Sequence, residues 1–441
     1  MSNPNLSARH IAVIGIRCGD EGKGARVIYL IDKAVKQLIR GNGEVPLGIE
    51  VMGYRWHGGA NAGHTVIVNG ITYKLHSVPV SIVIPGTYSL LGSGMFVNPR
   101  KVMQEIKTLE AQGLQINPNN LGIASNSFVT FDFHTNEDIA NLEKAEHTST
   151  GNGIKQTAMD KYGRVGVRFA EFLDEEACIH ALEKRFPNKR VPGFDSLKSF
   201  VESYKTEREF LTPFMTLQSD ALKKYGLYYK FGEGAHGGDI DVEEGLYPGI
   251  TSSHPAIVPH RPDIILGAMK LYDSSVGHDR PFVSRLNPEL EASLRNAWGE
   301  RGTTTGKDRK IGWTDLVSAK HIIEVSGVDY LVGNCGDRLE IFSQMKHKIG
   351  LVTGYKINGK VYSEWDASFH KRQTLHEVEP VIEWFEPWDK FQVDGKLHPN
   401  AQRYIDRIQE FTGREFAMLG TGPGIDDVIE LKDVFELAKA A

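Results

Sequence analysis

The chain has 441 residues, with 51 Lys and Arg against 56 Asp and Glu, a formal net charge of −5. That balance excludes a general binder of nucleic-acid polymers, whose phosphate contacts demand a basic excess. At 40% hydrophobic and 24% charged residues the chain can bury a sizeable core, and a wholly disordered chain is excluded as well. Cys18, Cys178 and Cys335 are too few and too widely spaced for a disulfide framework or a CxxC zinc site. No secretory pattern opens the sequence and no stretch approaches ~18 consecutive apolar residues. A soluble, cytoplasmic protein without membrane contact is therefore expected. The 46 glycines exceed the roughly 31 of average usage, and they fall in short motifs rather than in a periodic tract.

Along the chain, His10–Ile16 reads as a strand, followed by a glycine-rich turn and a helix over Lys23–Arg40 with helical apolar spacing. Apolar stretches follow at Leu47–Met52, Thr65–Val68 and Tyr88–Leu91, and Pro99–Gln112 reads as a helix. Glu171–Arg185, Phe200–Glu207 and Thr212–Lys224 also read as helices, with Leu227–Phe231 a strand. Pro262–Tyr272 and Asp329–Val332 read as buried strands separated by a helix at Trp313–Val325. A helix at Pro399–Thr412 and a strand at Glu415–Gly420 close the series. Strand–helix alternation from end to end predicts an α/β fold: one large domain over 1–441, its central, mostly parallel sheet flanked by helices. Residues 184–225 read as a polar surface excursion.

Gly19-Asp20-Glu21-Gly22-Lys23-Gly24 lies between the first strand and the first helix. Glycines admit an anion close to the backbone, a helix N-terminus aims amides at it, and Lys23 adds charge, so a P-loop-like phosphate loop is predicted. Arg17 and Gly24 stand where a Walker A motif needs Gly and Ser or Thr. Asp20 and Glu21 would repel phosphate unless one binds Mg²⁺ or moves a proton. The plainer alternative is a glycine-rich turn with solvated charges. A second cluster, Trp56-His57-Gly58-Gly59-Ala60-Asn61-Ala62-Gly63-His64-Thr65, places two histidines and an asparagine in a loop before a strand.

Gly19–Gly24 and Asn61–Thr65 resemble the two signature motifs of the adenylosuccinate synthetase family. Colinear matches continue at Ser149-Thr150-Gly151, Asp160-Lys161, Arg164, Glu233-Gly234-Ala235 and Tyr247-Pro248. They run on through Thr251-Ser252-Ser253, Thr304-Thr305-Gly306, Arg309, Gly312-Trp313 and Thr421-Gly422-Pro423. The resemblance implies a ligase that joins L-aspartate to C6 of IMP using GTP and Mg²⁺. Asp20 would take the N1 proton and ligate Mg²⁺, with the Gly63 carbonyl as a second metal contact. His64 would bond the γ-phosphoryl and the 6-oxygen, and Lys23 with the Gly22 and Gly24 amides would hold the transferring phosphoryl. Gly19, Glu21, Asp337, Gly422 and Pro423 fall in the triphosphate site. Asn61, Thr150, Thr251 and His236 fall in the purine monophosphate site, and Arg164 would reach that phosphate from the second subunit of a homodimer. Thr304, Thr305, Lys307 and Arg309 fall around aspartate. Helix or turn capping by Thr150 and Thr251, and a surface role for Arg164, are the plain alternatives.

Several departures cluster where ligands are recognised. His57 and His236 replace two glutamines of the family's base pocket, exchanging amide for imidazole geometry. Asn334-Cys335-Gly336-Asp337 keeps an aspartate for the guanine but lacks the family's lysine, so ATP or dATP competes with GTP. Lys307 replaces an arginine that would grip aspartate's carboxylate in a bidentate way, and Ser275 replaces another near the ribose. These changes raise a second reading, a dGMP-specific synthetase of the 2-aminoadenine pathway. The best-known members of that branch lack the catalytic aspartate, which Asp20 supplies here. A non-catalytic nucleotide-binding homologue is the third reading, and joint retention of Asp20, Lys23 and His64 counts against it.

Overall fold

The apolar run after Arg9 forms the strand Arg9–Gly15, in which every residue from His10 onward is buried. The chain then turns through three left-handed residues, Gly19, Asp20 and Gly22, into the helix Lys23–Asn42. That helix buries Val27, Ile28, Leu30, Ile31, Ala34 and Val35, the stripe a 3.6-residue period presents. Each such side chain contributes about 1.5–3 kcal/mol when fully buried. The computed structural model describes residues 9–42, 48–142, 149–276, 280–302, 306, 308–371 and 373–440.

The chain divides into two compact units, one of residues 1–11 and 24–235, the other of residues 12–23 and 236–441. In the first, parallel strands lie in the order Met215–Thr216, Leu121–Ala124, Tyr88–Leu91, Val51–Arg55 and Tyr229–Gly237. The hairpin His64–Val68 and Ile71–Leu75 turns on Asn69-Gly70, both at positive φ, the two-residue turn whose twist suits antiparallel strands. In the second unit Ile264–Lys270, Tyr330–Asn334 and Phe416–Gly420 run parallel, and Val428–Glu430 pairs antiparallel at the edge. The α/β class with a mostly parallel sheet and flanking helices is thus the one expected.

Local departures have local causes. The helix predicted over Glu171–Arg185 breaks at Asp174, whose side chain accepts from Ala177 N and caps a new helix, Glu175–Arg185. Phe200–Glu207 belongs to two helices, Leu197–Glu202 and Lys205–Leu211. Thr212–Lys224 is only partly helical. Pro213 confines its start to a 3₁₀ turn, Met215–Thr216 joins the sheet edge, and a helix resumes at Gln218–Lys224. In Trp313–Val325 the helix starts at Leu316, because Thr314–Asp315 pairs with Leu351 and Val352 and Asp315 caps the helix. The helix Pro399–Thr412 has the predicted bounds, with Pro at its first position and Gly413 in the left-handed C-cap.

Candidate active site

In the second unit the turn Ile16–Gly22 and the segments after Ile264–Lys270, Tyr330–Asn334 and Phe416–Gly420 all follow C-terminal ends of sheet strands. Ligands of open α/β sheets bind outside such ends. Glu21 organises the turn from within: it is 1% exposed, one oxygen accepts from Gly19 N at 2.7 Å and the other from Lys23 Nζ at 2.6 Å. Asn334 Nδ2 donates to Glu21 O at 2.7 Å, tying the end of a neighbouring strand to the turn. Gly15 has to be glycine. A Cβ there would lie 2.4 Å from Glu21 Oε2, 2.7 Å from Lys23 Nζ and 2.8 Å from His236 O. Lys23 is therefore a buried cation held against a carboxylate, and Glu21 shapes the turn through its side chain.

Asp20 is exposed at φ +59° and pairs with Arg309. Arg309 also holds Glu300 at 2.7 Å, and Glu300 accepts from Lys270 Nζ and Arg338 Nη1, each at 2.8 Å, and from the Tyr272 hydroxyl. Close packing would raise the Asp20 pKa, but Lys270 and Arg309 outweigh it and hold the carboxyl below the ordinary range. For Glu300 burial is likewise outweighed by Lys270 and Arg309, and the group stays ionised far below the usual value. Mg²⁺ is commonly held by one or two carboxylates together with substrate phosphates, and an ionised, exposed Asp20 fits that requirement.

Asp337 opens a short 3₁₀ turn after Cys335 (φ +64°), and burial pushes its carboxyl up. The turn is backed by aromatics, since a Cβ on Gly336 would lie 2.5 Å from the Phe391 ring and Trp388 Nε1 donates to Gly336 O. Gly422 and Pro423 lie in the loop after Phe416–Gly420, where Asp427 accepts from Gly424 N at 2.6 Å. Thr251 is half-buried, its N–H given to Ile240 O at 2.7 Å, and His236 lies near the end of Tyr229–Gly237. Thr304, Thr305 and Lys307 lie outside the described residues.

Arg17, the residue at the Walker A glycine position, turns inward. Its guanidinium meets Asp239 at 2.6 Å, Asp273 at 2.8 Å and Asp315 at 3.7 Å. Burial pushes all three carboxyls up, with Arg17 opposing. The cluster pins the start of the glycine-rich turn to three elements that are far apart in sequence.

In the first unit His64 starts its strand with Nδ1 paired to Glu233 Oε1, while Glu233 Oε2 accepts from Val80 N at 2.8 Å. Burial would raise the Glu233 pKa, but His64 and Arg55 hold it below the usual carboxylate range. Gly24 lets the helix backbone pass the imidazole, since a Cβ would lie 3.1 Å from His64 Cβ. His57 Nε2 accepts from Ala235 N at 3.0 Å, so one face of this base-pocket candidate is committed to backbone and Nδ1 carries the proton of the neutral ring. Asn61 Oδ1 is buried without a hydrogen-bond partner among the described residues, and Gly63 is half-buried. An amide so placed is ready for a ligand.

Thr150 is exposed, in a loop whose turns at Gly151 (φ +68°) and Gly153 (φ +72°) are fastened by Asp138 to Ser149 Oγ and Gly153 N. Arg164 is exposed at φ +61°. The structure joins Asp20 and Arg309 in one charge network with Glu300, pairs Lys23 with Glu21, and pairs His64 with Glu233. Glu300 and Lys270 were not foreseen, nor were the contacts that Arg17 and Asn334 make. Their partners lie too far along the chain for spacing to signal them.

The family model for adenylosuccinate synthetase matches residues 12–429. Adenylosuccinate synthetase of Caldanaerobacter subterraneus subsp. tengcongensis is 33% identical over 96% of this chain and 99% of its own length. That of Lysinibacillus sphaericus is also 33% identical, over 97% and 99%. Among solved structures, fully ligated adenylosuccinate synthetase from Plasmodium falciparum superposes with a TM-score of 0.80 at 23% identity, covering 96% of this chain and 100% of that one. Succinoaminodeoxyadenylate synthetase of cyanophage S-2L, bound to dGMP and to dATP as an energy donor, gives 0.55 at 17% identity, covering 98% of each chain. These two likenesses concern the fold.

Proposed function

We propose, for a chain that belongs to the adenylosuccinate synthetase family and is thereby a carbon–nitrogen ligase, that it joins L-aspartate to C6 of IMP with GTP as phosphoryl donor. Asp20 accepts the N1 proton, so that the 6-oxygen attacks the γ-phosphorus while the bond from phosphorus to the β,γ-bridging oxygen breaks and GDP leaves. His64, oriented through Glu233, donates to that oxygen and to the phosphoryl as charge builds. Lys23 and the amides of Gly22 and Gly24 hold the transferring group. The amine of aspartate then displaces phosphate from C6. Mg²⁺, when bound, neutralises charge on the triphosphate, and Asp20 with the Gly63 carbonyl would hold it.

The observation that carries this reading is Asp20 itself, exposed on a left-handed turn and kept ionised by its cationic neighbours. An ionised carboxylate is the proton acceptor that the first step requires. Arg309 serves both Asp20 and Glu300, so an incoming aspartate carboxylate competes with Asp20 for it. Asn61, Thr150 and Thr251 hold the monophosphate beside His236, and Thr304, Thr305, Lys307 and Arg309 hold aspartate. Asp337, Gly422 and Pro423 hold the triphosphate. The active form is a cytoplasmic homodimer in which Arg164 enters the site of the second subunit.

A second reading, dGMP as acceptor with ATP or dATP as donor, is favoured by the imidazole of His57 and by a base-reading segment with Cys335 in place of a lysine. Purified protein with Mg²⁺ and L-aspartate, given IMP or dGMP crossed with GTP, ATP and dATP, separates the two by phosphate release and product mass. Turnover of IMP with GTP is expected. Turnover of dGMP alone would replace the first reading by the second.

A further inference from the structure

We infer that Arg280 is the cation with which this subunit grips the phosphate of its purine nucleoside monophosphate, an assignment that rests on the reaction proposed above. The residue follows the strand Asp273–Ser275 and is half-buried. Its Nε donates to Gly249 O and its Nη1 to Ser275 Oγ, both at 2.7 Å. Both acceptors are neutral. Among the described residues no carboxylate lies within ion-pair distance of Arg280. Asp239, a buried acid close enough to feel its charge, is already taken by Arg17 at 2.6 Å and by Ser318 Oγ at 2.6 Å.

Among the described residues the guanidinium is thus oriented by neutral acceptors and has no ion-pair partner. It has five N–H donors, and two neutral bonds leave the outer edge for a ligand. Removing a cation from part of its water without an anion is costly, and a phosphate monoester repays it in the bidentate geometry that Arg favours. The site is built for closeness as well. A Cβ on Gly249 would lie 2.6 Å from Arg280 Cβ and 3.1 Å from its Cα, so the arginine stem lies flat on the segment that leads to Thr251. Thr251 is a neutral donor, so a dianion bound by it alone lacks charge from its own subunit. The triphosphate turn already carries Lys23. The cation held on Gly249, in the segment that leads to Thr251, therefore falls to the monophosphate.

Calorimetric titration of IMP, dGMP and the corresponding nucleosides into wild type, Arg280→Ala and Arg280→Lys tests this directly. Arg280→Ala should weaken nucleotide binding by about tenfold to a hundredfold, the range for one lost hydrogen bond to a charged group. Nucleoside binding and the KM values for triphosphate and aspartate should stay within about twofold, and Arg280→Lys should recover part of the loss. Equal losses for nucleotide and nucleoside would move Arg280 to the ribose and overturn the assignment, as would unchanged nucleotide affinity in Arg280→Ala. Binding is read apart from turnover. A wild-type protein that binds nucleotide but ligates no aspartate would sink the proposed reaction and leave the Arg280 result standing.

Discussion

Replacing Glu233 with glutamine removes one charge and almost no volume, and it isolates what orients His64. The wild-type carboxylate is 1% exposed and offers an acceptor on each side, to His64 Nδ1 and to the Val80 N–H. An amide has one acceptor and one donor face. If its oxygen faces Val80, the NH₂ group meets Nδ1 and forces the proton to Nε2. If its oxygen faces His64, two donors confront each other at Val80. Either way one hydrogen bond to a charged group is lost, about 1.5–3 kcal/mol. Charged in the transition state, His64 would feel that loss in kcat, which at ~1.4 kcal/mol per decade means roughly tenfold to more than a hundredfold. A carboxylate-to-amide exchange beside a catalytic histidine can cost more, up to about 10⁴ through the wrong tautomer in a serine protease. Steady-state kinetics with IMP, GTP and aspartate, beside a thermal melt, measures it. A folded variant with kcat within about twofold of wild type would refute an orienting role for Glu233.

Gly15→Ala should lower stability by about 1–3 kcal/mol, the usual cost of overpacking, and raise the KM for triphosphate. The added methyl displaces the Glu21–Lys23 pair and meets the backbone at His236 O, and denaturant melts with donor-varied kinetics would show both effects. Glu300→Gln should destabilise the protein at pH 7. Because its native pKa is depressed by Lys270 and Arg309, the wild-type advantage is full above the unfolded value of about 4.3 and fades as pH falls below it. Melts of both proteins from pH 7 to 3 should converge at the acid end, and a gap that widens there would reverse the assigned sign. Mixing inactive Arg164→Ala with inactive Lys23→Ala should restore up to about a quarter of the activity if a random half of the dimers are hybrids with one intact site of two, as symmetric shared sites require. No recovery after subunit exchange has been demonstrated would place Arg164 outside the second subunit's site.

Much of the backbone was legible in sequence because its signals are local. The period of Val27, Leu30, Ile31 and Ala34, the Pro399 start and the Gly413 stop act within one turn of helix, and the Asn69-Gly70 turn acts within two residues. The long helix assigned to Thr212–Lys224 failed where a tertiary force intervened. Met215–Thr216 has a sheet edge to join, and composition alone cannot announce it. The motif residues Asp20, Lys23 and His64 were likewise found from type and order, yet their present partners were not. Arg309 and Glu233 meet Asp20 and His64 only in the folded chain, whereas Glu21 lies two residues from Lys23 and needed the turn's geometry to face it.

The sequence by itself determined the α/β class, the family and the order of its motif residues, since each rests on short-range pattern or colinear order. Only the tertiary structure decided their electrical state. Burial multiplies the energy of each charge, so whether Asp20 and Glu300 stay ionised, Lys23 is held to a carboxylate, Arg17 faces inward and Arg280 rests on Gly249 O depends on which groups come within a few ångströms of them, often from more than 200 residues away in the chain.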